Sequence, residues 1–219
     1  MGYPDGVNSR PDLTLAQRKR QLVAGELTES ALQLLARKGF DAVTIDEIAT
    51  AAGVSKRTFF RYFASKEDVV VQFLADMGTG IRAELAARPP EEPPSTALRH
   101  AVWVPLGECA DHGERALRVV RLILRTPALH ARFLERQAQW REDLAAELAE
   151  RLGLDADADP GLYPRMAAGM ALNAFDAVLH RWSAGEGVVL DVAPAPDALL
   201  DRAFAVIAPA LDAGPGARA

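Results

Sequence analysis

Residues 44–66, TIDEIATAAGVSKRTFFRYFASK, constrain this chain more than any other stretch, because local chemistry alone dictates two short helices across a tight turn. Thr44 has the side chain of a helix N-cap, and Glu47 three residues on completes a capping box. Ile45, Ile48 and Ala49 then recur at helical spacing. Gly53 breaks that helix, since glycine accepts the positive φ a sharp turn needs. Ser55 offers a fresh N-cap for the second helix. Helix, turn and helix in this order form the motif whose second member lies in the DNA major groove.

The second helix divides into two faces. Val54, Phe59 and Phe63 are the side chains that pack it down. Lys56, Arg57, Thr58, Arg61 and Tyr62 carry cations and hydroxyls suited to DNA. Arg57 and Arg61 have the forked guanidinium that reads guanine O6 and N7. Thr44, Ser55, Tyr62 and Lys66 have the donors that phosphates accept. A second reading stays open on these residues alone: a helical hairpin with a solvated basic face.

Residues 17–72 resemble the N-terminal domain of the TetR family of bacterial transcriptional regulators. The resemblance rests on Gly39-Phe40, then Thr44-Ile45-Asp46-Glu47-Ile48-Ala49, then Ala52-Gly53-Val54-Ser55, then Thr58-Phe59-Phe60-Arg61-Tyr62-Phe63, then Ser65-Lys66-Glu67, without a gap. Arg57 stands where many relatives have a small residue, and Arg61 where many have His, so base preference is expected to differ. The resemblance implies a homodimer on a palindromic double-stranded operator, released by a small-molecule effector. Residues 121–152 more weakly resemble a subgroup with C-terminal domains for acyl-CoA-like ligands.

Composition limits the alternatives. Hydrophobic residues make up 49% of 219, enough for a reader domain and a larger one sharing its core. No apolar run approaches the roughly eighteen residues of a membrane span. Met1 to Asp12 is polar, unlike a signal peptide, and reads as a disordered arm. The single Cys109 excludes an intramolecular disulfide and fits a reducing cytoplasm. Residues 1–66 hold ten Lys and Arg against seven Asp and Glu, a net of +3, and the remainder carries −8 in a chain of formal charge −5. Local field rather than total charge governs DNA binding. Arg18, Lys19 and Arg20 add a basic cluster, read either as a solvated helix start or as backbone contacts.

The expected fold is all-α with about nine helices. An arm spans 1–14, a helix-turn-helix domain 15–66, a ligand-binding and dimerisation domain 67–212, and a disordered tail 213–219. Helices are expected at 15–38, 66–88, 95–112, 114–125, 127–152, 160–184 and 197–212 besides the two of the motif. Pro105 is expected to bend or split its helix. Gly78 and Gly80 lie inside the fourth helix, as close-packing sites or as a soft point in an element reaching from reader to sensor.

The last two helices are apolar nearly all round, and the resemblance makes them a two-fold four-helix interface. Met170, Phe175, Leu179, Leu200, Phe204 and Ile207 are its expected residues. Trp103, Leu106, Leu122, Phe133, Trp140, Asn173 and Phe175 are candidate walls of an effector pocket, each also readable as core, and Asn173 also as an interface polar group. Arg118, Arg121 and Arg125 recur at helical spacing and read as solvated partners of nearby Glu or as an anion site. There is no Gly-rich phosphate loop, HExxH or GxSxG, and the four histidines are scattered. No catalytic residue, metal ligand or cofactor is therefore expected. The function that follows is a ligand-responsive regulator, a repressor ahead of an activator or adaptor on the same scaffold, and ahead of a helical enzyme or metal sensor.

Overall fold

A computed structural model describes residues 14–154, 161–184 and 195–214. The N-terminal arm, the acidic loop after Leu154, the Gly/Pro loop before Ala195 and the last five residues lie outside them. The described residues hold helices and no strand. In chain order they are α1 (Leu15–Lys38), α2 (Ile45–Ala51), α3 (Lys56–Tyr62), α4 (Lys66–Ala87), α5 (Pro94–Arg125), α6 (Pro127–Arg151), α7 (Leu162–Ser183) and α8 (Pro196–Asp212).

The punctuation of these helices is written locally. Thr14, Thr44, Ser55 and Ser65 each accept a backbone N–H at a helix start. Pro94, Pro127 and Pro196 occupy first helical positions, where the missing N–H costs nothing. Gly39 ends α1 at φ 89°, a conformation that side chains with a Cβ avoid.

Among the described residues the helices number eight rather than nine because the expected segments 95–112 and 114–125 run together as α5, with the break expected between them falling at Gly113. Pro105, expected to bend or split the first of these segments, does not split it. Pro105 is buried inside continuous helix, and the backbone leaves helical geometry at Gly113, with φ 50° and ψ −122°. Glycine tolerates that conformation, so the elbow falls eight residues after the proline.

One apolar core runs from α1 to α8. In the reader, Leu27, Leu35, Ile48, Phe59 and Val70 are fully buried. Farther on, Leu74, Leu106, Leu129, Phe175 and Leu200 continue it. Helix α4 packs against α1 at one end and against α5 and α6 beyond. Its stripe of Val70, Leu74, Gly78, Ile81 and Leu85 keeps one face buried over four turns.

Two polar devices fix the sensor. The Arg151 guanidinium donates to the carbonyls of Arg88 (2.8 Å), Glu92 (3.2 Å) and Pro89, stapling the proline-rich α4–α5 linker to the end of α6. The Asp212 carboxylate accepts from the Ser95 N–H (2.9 Å) and hydroxyl (2.7 Å), so the end of α8 caps the start of α5. Neither was visible in sequence, because each joins residues more than fifty positions apart.

Candidate nucleic-acid interface and effector cavity

The α2–α3 pair is held from below and left open above. Phe59 is fully buried and Phe63 nearly so, with ring centroids 5.7 Å apart, which turns the opposite face of α3 outward. Lys56, Arg57 and Arg61 are exposed on that face. The Arg61 guanidinium lies 5.2 Å from the Tyr62 ring centroid and that of Arg20 5.9 Å from it. The basic cluster of residues 18–20 therefore belongs to the first turns of α1 and sits beside the end of α3. Its charge was legible in the sequence; its proximity to Tyr62 was not.

The hydroxyls serve local structure first. Thr44 Oγ1 accepts the Glu47 N–H at 3.2 Å and donates to Glu47 Oε2 at 3.0 Å. Ser55 Oγ caps the Thr58 N–H at 3.1 Å and lies 2.9 Å from the Thr58 hydroxyl. Lys56 pairs with Asp46 at 2.8 Å, with both side chains exposed, a weak tie that a phosphate can replace.

Lys66, expected at the phosphates, is engaged within the protein. Its ammonium donates to the carbonyls of Phe40 (2.7 Å) and Val43 (3.2 Å) and lies 4.5 Å from the Phe40 ring centroid. It ties the α1–α2 loop to α4. Lys66→Ala is expected to destabilise the protein by about 1.5–3 kcal/mol, the range for hydrogen bonds to a charged group. The salt slope of DNA binding should stay unchanged. Thermal melts and affinity at several ionic strengths check both.

Glu47 is the electrostatic keystone of α2. The hydrogen bond from Lys38 (2.7 Å), then those from the Thr44 N–H and hydroxyl, lower its pKa from 4.5 to about 2. A depressed carboxylate pKa stabilises the fold above its unfolded value, and the gain is lost as pH falls toward the folded one. Glu47→Gln is therefore expected to flatten the acid dependence of stability between about pH 4.5 and 2, read by circular dichroism against pH.

Behind the reader lies a cavity of about 220 Å³, walled by α1, α4, both arms of α5, α6 and α7. Of the seven expected pocket residues, Phe133 and Phe175 line it. The other five do not line it. Trp140 stands behind them, 6.0 and 6.3 Å from their ring centroids. Leu106 and Leu122 are core, Trp103 lies over Gly107 of its own helix, and Asn173 is exposed on α7. Sequence reading missed Leu32 of α1 and Phe73 and Met77 of α4. Their place on the wall depends on how the reader docks on the sensor, which no local signal encodes. Among the three arginines, Arg118 pairs with Glu114 at 2.7 Å, and Arg121 donates to the Ser183 carbonyl at 3.0 Å.

The expected dimer residues divide by exposure. Phe175, Leu179, Leu200 and Phe204 are buried within the single subunit. Met170 and Ile207 are half-buried. The outward face of α7 instead carries Leu162, Met166, Asn173 and Ala177, one stripe at helical spacing. On α8 it carries Val206, 79% exposed, beside Ile207.

Comparison with known proteins accords with this layout. Residues 27–73 match the family profile described as bacterial regulatory proteins of the tetR family, and residues 92–212 match the MftR C-terminal domain. The chain is 36% identical over 151 residues to the transcriptional regulator TcmR of Streptomyces glaucescens, covering 66% of this chain and 67% of that one. It is 32% identical over 204 residues to the putative mycofactocin biosynthesis regulator MftR of Mycobacterium tuberculosis, covering 89% and 94%. Among solved structures, the fatty acid degradation regulator FadR of Bacillus halodurans superposes with a TM-score of 0.61 at 21% identity, covering 90% of this chain and 97% of that one. FadR of Bacillus subtilis, in complex with stearoyl-CoA, does so with the same score at 20% identity, covering 84% and 97%. A reader with its cationic face open, joined through α4 to a walled cavity, thus sits in a chain matched by family profiles at both ends: it belongs to the TetR family of bacterial transcriptional regulators.

Proposed function

We propose that this regulator represses transcription as a homodimer on a palindromic operator and is released by a small apolar or amphipathic effector in the cavity. The observation that carries this reading is continuity: the same α4 that follows α3 in the chain and packs against α1 of the reader walls the cavity through Phe73, Leu74 and Met77. A molecule entering there touches the element that positions the reader. It shifts the equilibrium only if it binds the DNA-incompetent arrangement better. The stearoyl-CoA in the Bacillus subtilis structure supports an effector with an extended apolar body.

Arg57 and Arg61 read bases in this proposal, while Thr44, Ser55, Lys56, Thr58 and Tyr62 face the backbone. Arg57→Ala or Arg61→Ala is expected to cost about 1–3 kcal/mol on the specific site and to relax preference at one base position. Equal loss on specific and random DNA reassigns that arginine to phosphate contact. Sequencing DNA captured by the purified protein supplies the operator. Reporter output with and without the protein then separates repression from activation, and an absence of any enriched sequence would return the chain to the adaptor reading.

A further inference from the structure

The cavity has two chemically distinct ends. Its deep end is apolar and aromatic, with Leu74, Phe133, Phe175 and Leu179 buried around it. Its outer end carries Glu29 of α1 and, at the α5 elbow, Glu108, His112 and Arg115, all exposed. Two carboxylates there face one guanidinium. Arg115 Nη2 donates to Glu29 Oε1 at 2.6 Å, and Gln33 Nε2 lies on the same helix face as Glu29 at the cavity wall. Among the described residues that line the cavity, that pair cancels and the charge of Glu108 is left over at the mouth.

We propose that the cavity takes a lipophilic cation, its apolar body among the buried aromatic rings and its charged end held by Glu29 and Glu108 in place of Arg115. This rests on the reading of the cavity as the effector site and supplies the chemical class which that reading leaves open. A carboxylate or phosphate head would meet the uncompensated charge of Glu108 at the mouth, which disfavours it. A cation meets a carboxylate there as a partner, and the aromatic lining of Phe73, Phe133 and Phe175 offers rings that attract positive charge. A quaternary ammonium sheds its hydration cheaply, which suits a mouth opening onto an apolar floor. The neighbouring Cys109 reports the same environment: burial first, and the Glu108 charge second, push its thiol up to about 11.

The ligand's charge also links occupancy to DNA. The Glu29–Arg115 bond joins α1, part of the reader, to the outer arm of α5. A cation on Glu29 replaces that bond and frees α5 to move at Gly113, the non-helical joint beside the mouth. An anion on Arg115 would have to draw it from Glu29 while lying against Glu108.

The test is calorimetric titration of the full-length protein with decyltrimethylammonium, decanoate, decanoyl-CoA and decan-1-ol, each below its aggregation concentration. Decyltrimethylammonium is expected to bind at least tenfold more tightly than decan-1-ol, and decanoate more weakly than either. Glu108→Gln and Glu29→Gln should each reduce the cation-to-alcohol ratio several-fold with alcohol binding retained. Arg115→Gln should raise it, because the competing cation is gone. Tighter binding of decanoate or decanoyl-CoA than of the ammonium overturns the proposal, as does a ratio unmoved by both glutamate variants. Because each ratio is taken within one protein, a loss of folded material does not mimic the result. If none of the four decyl probes binds while operator DNA still does, the effector-site reading fails with the proposal. If decan-1-ol binds and only the charge preference is absent, the proposal fails alone.

Discussion

Val206→Glu is expected to yield a folded monomer that no longer binds the operator, whereas Phe204→Glu is expected to unfold the chain. The two residues sit two positions apart on α8 and face opposite ways. Val206 is 79% exposed and Phe204 is 4% exposed. A carboxylate at 206 remains in water in the single subunit and is desolvated without a partner only when a second copy covers it. A carboxylate at 204 is buried in the subunit itself, a change in the class that costs more than about 4 kcal/mol. Two recognition helices must meet successive major grooves about 34–36 Å apart, so a monomer loses half of its contacts at once. Light scattering and circular dichroism on both variants decide the matter. A folded Val206→Glu dimer would move the interface away from the Met166, Asn173 and Val206 face.

Gly78→Ala is expected to destabilise the protein by about 1–3 kcal/mol, the range for forced overpacking, while Gly80→Ala is expected to stabilise it by about 0.5–1 kcal/mol. The soft-point reading of this pair divides between them. A methyl on Gly78 overlaps the indole of Trp140, which is itself 3% exposed and packed edge-on against Phe133 and Phe175. A methyl on Gly80 lies 3.6 Å from Val104 Cγ1, an ordinary contact, and brings the better helix former. Thermal melts of the single variants show the opposite signs. Trp140→Phe combined with Gly78→Ala should recover part of the loss, since the conflict is with the indole. Gly78 is therefore the site of an aromatic lock between α4 and the cavity floor.

What the sequence revealed follows from the range of the forces involved. The reader was legible almost residue by residue because Thr44, Glu47, Gly53 and Ser55 act on neighbours three or four positions away. The all-helical class and the proline and glycine boundaries were legible for the same reason. Which way an apolar helix faces was not. Helix α7 is apolar on most sides, so its pattern does not distinguish Phe175, which points inward, from Met166, which points outward. The cavity was harder still. Phe133 and Phe175 were visible as large apolar residues, but Leu32, Phe73 and Met77 become walls only once α1 and α4 are placed against α5. The Lys66 clamp on the α1–α2 loop was not legible, because its acceptors, the Phe40 and Val43 carbonyls, lie more than twenty positions away.

The Asp212 cap on Ser95 sets an order of events on the ribosome. The bond spans 117 positions, so α5 cannot have its first turn capped until the end of α8 has emerged. The reader closes through far shorter spans, such as the 26 positions between Lys66 and Phe40. Contacts close in sequence form early and distant ones late. The DNA-binding half is thus completed during synthesis, and the sensor half only after α8 is released. A nascent chain therefore shapes its reading head before it can pair with a second copy, and pulse-labelled hydrogen exchange on stalled chains would show protection in α1–α3 before protection at Ser95.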